Sequence, residues 1–243
     1  MVSPEAKRFT FHSTMGALRY IQNQEANLRR VNFVQPVFSF INGTVVAALF
    51  CVSTFASPVF SADGDLFPAK SGSLWTYKTT DWNGKVGETK CRLIDLKTSK
   101  NGERTFKIVS TSVSEQKTKY YIKHGDKTLL TRVDIVGKST SSESYSPPKL
   151  VIDTRIKTDS LWQWNSNRND VAIPTERWQV FPIEKVKVPV GEFTCVRVGG
   201  LVSGGPKMMY QTRWFAPNVG LVKSLDNTSS GKQLEELSAY HVK

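Results

Sequence analysis

The chain has little of what most enzymes need in plain view. It holds three histidines and three cysteines in 243 residues, with no His-x-x-x-His and no Cys-x-x-Cys. Those are the spacings by which neighbouring residues clasp zinc, so no metal ligands are assigned. There is no Gly-x-Ser-x-Gly elbow and no glycine-rich phosphate loop. Gly199-Gly200 and Gly204-Gly205 read as hairpin turns instead. Cys195 and a distant histidine are the residue types of a nucleophilic pair, but nothing in the sequence brings them together. No catalytic residue and no cofactor is therefore expected, and the chain reads as non-enzymatic. Carboxylates gathered by folding are invisible at this level, so a hydrolase with an unseen site stays as the weakest reading.

Long apolar runs are also scarce, with one exception. Gly43 to Ala56 carries no charge and is mostly apolar. Arg29-Arg30 precedes it, and Ser57, Ser61 and Ala62 follow it, ahead of Asp63-Gly64-Asp65. Positive charge, an apolar core of about 7–15 residues and small residues make a secretory signal, here with cuts after Ala56 or Ser61. Lipidation at Cys51 would require a small residue where Phe50 stands. Extended back to Phe38, the run approaches the roughly 20 residues of a membrane anchor. The expectation is thus a leader over residues 1–62, its hydrophobic helix outside the fold, and a β-rich envelope domain over 63–243. The protein is then exported, periplasmic or extracellular, with membrane anchoring by the N-terminal segment as the alternative. The polar residues 1–35 are long for an n-region, and Met15 offers a later start.

The leader takes five of the 33 Lys/Arg and two of the 21 Asp/Glu, so residues 63–243 keep 28 against 19. A basic surface can meet anionic head groups, acidic glycans or nucleic acid. No run of five Lys/Arg exists, which favours an evenly solvated surface. Lys117–Lys123, with Tyr120 and Tyr121, is the one stretch with interleaved basic and aromatic residues. It fits an ordinary alternating strand, and no nucleic-acid partner is expected. Cys91 and Cys195 are the cysteines of the domain, either a disulfide formed on export or two small buried hydrophobes.

No segment after the leader keeps a 3.6-residue apolar period. Short alternating runs dominate. Leu74–Trp82 meets Asn83-Gly84, a strong hairpin signal. Gly87–Leu96, Arg104–Val113, Lys119–Lys123 and Thr128–Val136 follow, the last two flanking His124-Gly125-Asp126-Lys127. Gly137–Lys149 is serine-rich, holds Pro147-Pro148 and reads as a linker or long loop. Glu176–Val188, Phe193–Val202, Lys207–Phe215, Gly220–Leu225 and Leu234–Val242 complete the set. The fold class is all-β: an antiparallel curved sheet, open barrel or sandwich of about ten strands.

A weak repeat suggests two related halves, 67–136 and 152–243. Lys70-Ser-Gly-Ser-Leu-Trp75-Thr-Tyr77 aligns with Lys157-Thr-Asp-Ser-Leu-Trp162-Gln-Trp164, an offset of 87 residues. Alternate residues of a strand share a face, so each aromatic pair points the same way.

Three segments carry a resemblance: Phe67-Pro68-Ala-Lys-Ser-Gly72-Ser-Leu-Trp75-Thr-Tyr77, Val188-Pro189-Val-Gly191-Glu-Phe193, and Trp214-Phe215-Ala-Pro217-Asn218-Val-Gly220-Leu-Val-Lys223. They resemble motifs of an uncharacterised group of exported bacterial β-proteins, the domain of unknown function 3108 and its relatives. The resemblance implies a fold and an envelope location, and it transfers no catalytic residue. Asn218 stands where that group usually has glycine, a position asparagine tolerates.

Two functional readings lead. One is a carrier of lipid or another amphiphile, with Trp75, Tyr77, Trp162, Trp164, Trp178, Trp214 and Phe215 as the aromatic pool for a concave face. The other is a structural module docking on an envelope protein through a basic surface or a strand edge. Membrane contact would come only through an uncleaved leader.

Overall fold

In the computed structural model the described residues are 64–243, apart from 166, 169–170, 173–174 and 204–207. The leader expected over residues 1–62 lies outside them, as does Gly204-Gly205. Fourteen strands make up the described fold, and no helix occurs among the described residues. The first six are β1 (Leu74–Thr80), β2 (Val86–Thr98), β3 (Arg104–Thr111), β4 (Gln116–His124), β5 (Lys127–Val136) and β6 (Thr140–Asp153). β7 (Leu161–Trp164) is followed by two very short strands, β8 (Asn167–Arg168) and β9 (Val171–Ala172). The last five are β10 (Thr175–Val188), β11 (Gly191–Ser203), β12 (Met209–Ala216), β13 (Gly220–Thr228) and β14 (Gly231–His241).

All the pairings are antiparallel, in the order β7-β10-β11-β12-β13-β14-β1-β2-β3-β4-β5-β6-β8-β9. Two six-strand meanders are thus joined side by side where the last strand, β14, pairs with the first, β1. The far strands of the meanders, β6 and β7, meet through side chains instead of a ladder. Trp164 Nε1 donates to Pro147 O at 3.3 Å, and Tyr145 meets the Trp164 ring edge-on at 5.6 Å. Lys149 on β6 reaches Glu176 on β10 at 2.6 Å. The sheet therefore curls into a nearly closed barrel, which removes most of its exposed edge.

Alternation places the core. Leu93, Phe106, Tyr121, Leu130, Val222 and Leu237 are buried in one cluster, and Leu66, Ile152, Val180, Val198 and Phe215 in a second. The hairpin signals act as expected: His124 pairs with Lys127 around Gly125, whose φ is +56°.

Two expectations are corrected. Gly137–Lys149 is no linker, for most of it forms β6. Its prolines sit where the ladder to β5 breaks: Leu130 pairs with Lys149 and Arg132 with Ser144. A missing proline N–H costs no ladder bond there. Gly199-Gly200 is no turn but the middle of β11. A Cβ on Gly200 would come within 2.5 Å of the Trp178 ring, and one on Gly199 within 2.6 Å of Phe181. The rings of β10 lie across the glycines and take the space that side chains would need.

Candidate functional site

The segment before β1 and the turn between β12 and β13 build the base of the site. Trp75 Nε1 donates to Val219 O and Tyr77 Oη to Leu221 O, both at 2.8 Å. Asn218 N donates to Asp65 O at 2.8 Å, and Asn218 Oδ1 accepts from Asp65 N at 3.2 Å. Asn218 holds φ +61° and Gly220 φ +96°, so the turn needs residues at ease in the left-handed region. The first and last motif segments, distant in sequence, are thus one contact. Lys123, 3% exposed, closes it from β4 by donating to Asp65 and to Phe67 O. Burial pulls the Lys123 ammonium below its usual range, and the Asp65 carboxylate opposes that shift.

Above this base a cavity of about 440 Å³ opens over β1, β2, β3 and β4 and continues onto β13 and β14 of the second meander. Its apolar lining is Phe67, Trp75, Tyr77, Ile108 and Tyr121. Phe67 and Tyr121 meet at 5.2 Å between ring centres, and Tyr121 stacks on Phe106 at 5.3 Å. Burial pushes the Tyr77 phenol well above its ordinary value, with the Cys91 and Glu235 side chains adding to the shift. Burial also raises Tyr121 and Cys91, and for Cys91 a hydrogen-bonding contact with Ser110 at 3.2 Å works against it. The floor is therefore uncharged at neutral pH. Towards solvent the lining turns polar, with Lys85, Lys117, Lys119, Glu115 and Glu235, and it ends at Val86 and the fully exposed Val113.

Of the seven aromatic candidates, Trp75 and Tyr77 line this cavity. The other five are elsewhere. Trp162 stacks on Trp178 at 6.1 Å, Trp178 and Phe215 belong to the second core cluster, and Trp164 is buried against Tyr145. Trp214 donates to Glu184 at 2.6 Å. Cys91 and Cys195 are free thiols, on β2 and β11, with β12, β13, β14 and β1 between them in the sheet. Burial pushes the Cys195 thiol up to about 12. A low-pKa thiolate is what a reactive cysteine needs, and neither thiol has one.

Sequence reasoning missed Ile108, Lys119 and Glu235. Alternation along β4 does put Lys117, Lys119, Tyr121 and Lys123 on one face. Which face points inward is a property of the closed barrel, and three lysines argue for the wrong one. Among the described residues no group of three His, Cys, Asp or Glu gathers as a metal site would require.

No family model matches the chain, so the likeness to the domain of unknown function 3108 rests on its motif segments. No curated protein matches it either. Two solved structures are similar. One is a candidate lipoprotein of Parabacteroides distasonis, 14% identical over 73% of this chain and 99% of its own, with a TM-score of 0.44. The other is a candidate exported protein of Bacteroides fragilis with a YmcC-like fold, 13% identical over 72% of this chain and 98% of its own, with a TM-score of 0.48.

Proposed function

We propose that the chain is an exported, non-catalytic envelope module that carries an amphiphile, with the apolar part in the cavity over β1–β4. The observation that carries this reading is the cavity itself. Its volume falls within the roughly 300–1,000 Å³ of small-molecule sites. An aromatic floor under a charged rim matches a molecule with an apolar tail and a polar head. The apolar run Gly43–Ala56 followed by small residues supports export.

The test is uptake of the neutral dye Nile red by the purified barrel, read as a rise in fluorescence, and displacement of the dye by single-chain lipids. Cys91→Trp puts a ring beside Trp75, its cross-strand partner. It should abolish uptake while far-UV circular dichroism and the thermal transition persist. Overpacking costs about 1–3 kcal/mol, so Ile108→Phe serves as a milder filling variant. Dye uptake unaffected by either folded variant sinks the proposal.

One observation favours a docking module instead. Leu161 is 74% exposed on the short strand β7. On that reading Leu161→Lys abolishes capture of an envelope protein and leaves dye uptake alone.

A further inference from the structure

Charged side chains that are half-buried in this barrel are mostly paired. Lys149 has Glu176 at 2.6 Å, Lys223 has Glu236 at 2.7 Å, Arg213 has Asp226, and Lys123 has Asp65. The cavity wall follows the same rule for several groups. Lys117 lies 3.3 Å from Glu115, and Glu88 lies 3.3 Å from Lys90. One Asp81 carboxylate oxygen accepts the backbone N–H of Asn83 and of Lys85.

Two half-buried lining residues depart from it. Lys119 on β4 has no carboxylate and no hydrogen-bond acceptor among the described residues. Glu235 on β14 has no cation, and its one partner there is the Ser224 hydroxyl at 3.1 Å. Strands β1, β2 and β3 separate them in the sheet, so they stand on different walls of one cavity. Both act on the same thiol: Lys119 pulls the Cys91 pKa down and Glu235 pushes it up. They therefore look into the same space without meeting. An unpaired charge withdrawn from water is costly, and a partner that arrives with a ligand removes that cost.

We infer that the cavity selects a single-chain zwitterionic amphiphile, whose anionic group pairs with Lys119 and whose ammonium pairs with Glu235. This rests on the amphiphile reading and specifies the head group. A lone anion would satisfy Lys119 and face Glu235 unfavourably, and a lone cation would do the reverse. A head group with both charges answers both walls. The tail then lies on Trp75, Tyr77 and Tyr121.

The test compares three probes with the same sixteen-carbon tail length in Nile red displacement: 1-hexadecanoyl-lysophosphatidylethanolamine, hexadecanoate and hexadecan-1-ol, each below its micelle concentration. The zwitterion should bind about tenfold or more tightly than the alcohol. Lys119→Met keeps the aliphatic stem, and Glu235→Gln keeps the shape. Each should cut zwitterion affinity by about tenfold and leave the alcohol unchanged. Hexadecanoate should respond to Lys119→Met and bind better, not worse, to Glu235→Gln. Equal binding of all three probes overturns the head-group inference and leaves the amphiphile reading standing. Zwitterion binding that ignores Glu235→Gln overturns the assignment of the ammonium. Failure of all three probes to displace dye removes the amphiphile reading itself.

Discussion

The openings of the two meanders start from the same turn and end in different surroundings. Ser73 N donates to Lys70 O, and Ser160 N donates to Lys157 O. Gly72 N bonds Leu93 O and Leu93 N bonds Ser73 O; at the same offset, Asp159 N bonds Val180 O and Val180 N bonds Ser160 O. Gly72 and Asp159 both take positive φ, +82° and +66°. Beyond the turn, Trp75 pairs across the strands with Cys91 and Tyr77 with Thr89, whereas Trp162 pairs with Trp178 and Trp164 with Glu176. Cross-strand partners pack directly on one another. Where the partners are small, beside β1 and β2, a cavity remains. Where they are a second tryptophan and a glutamate bound by Lys149, the space beside β7 and β10 is filled. The position of the cavity is thus decided by residue size at matching positions on one backbone plan.

The sharpest way to break this contrast is to empty the filled side. Trp178→Cys places there the residue that its counterpart position holds. It removes a buried ring, its stacking on Trp162 and its hydrogen bond to Glu176. Large-to-small changes of this kind cost about 3–5 kcal/mol, measurable by urea denaturation. A loss under about 1 kcal/mol would mean that the ring does not fill the space beside β7 and β10.

A finer comparison exchanges the two opening tryptophans for phenylalanine. Trp75→Phe leaves Val219 O without its donor in a buried turn, and about 1–3 kcal/mol should be lost. Trp162 Nε1 is buried and has no acceptor among the described residues. Trp162→Phe removes that unsatisfied donor and should cost under about 1 kcal/mol. Equal losses in the two variants would show that the paired and unpaired indoles are equivalent, and the contrast would fail.

Much of the barrel was legible because its signals are local. Alternation gives strands, and Asn83-Gly84 and Gly125 give tight turns. The Leu-Trp repeat already paired the two openings. What misled the reading was local too: Pro147-Pro148 reads as loop until β5 is seen to break register against it, and Gly199-Gly200 reads as a turn until Trp178 and Phe181 cover it. The cavity was half legible. Trp75 and Tyr77 stood out as aromatics, but Trp162, Trp164 and Trp178 look the same in sequence. What separates them is Cys91 against Trp178, a cross-strand relation that exists only once the register is formed. Lys119 and Glu235 carry no motif, and their meaning comes from sharing one cavity on strands far apart in the chain.

The smallest effect expected is a pH dependence that the buried thiols impose. Cys195 in the folded state holds its proton up to about 12, against 9.0 for a free thiol. Above pH 9 the unfolded chain loses that proton while the folded chain keeps it. The unfolded state then binds fewer protons, so stability falls as pH rises through this window, by up to roughly 1.4 kcal/mol per pH unit for one thiol. Cys91 is shifted in the same direction. Tyr77 and Tyr121, also raised, join mainly around and above the ordinary phenol value of 10.0. Between pH 9 and 10 Lys123 and Lys149, whose ammonium groups burial pulls below their ordinary range, work against this slope, so the difference between the natural chain and Cys195→Ala isolates the thiol. Urea midpoints measured across that interval should decline more steeply for the natural chain than for Cys195→Ala, whatever the absolute cost of the lost sulfur. An unchanged slope would place Cys195 in contact with water, outside the packed cluster that Val186, Val188 and Leu237 form around it.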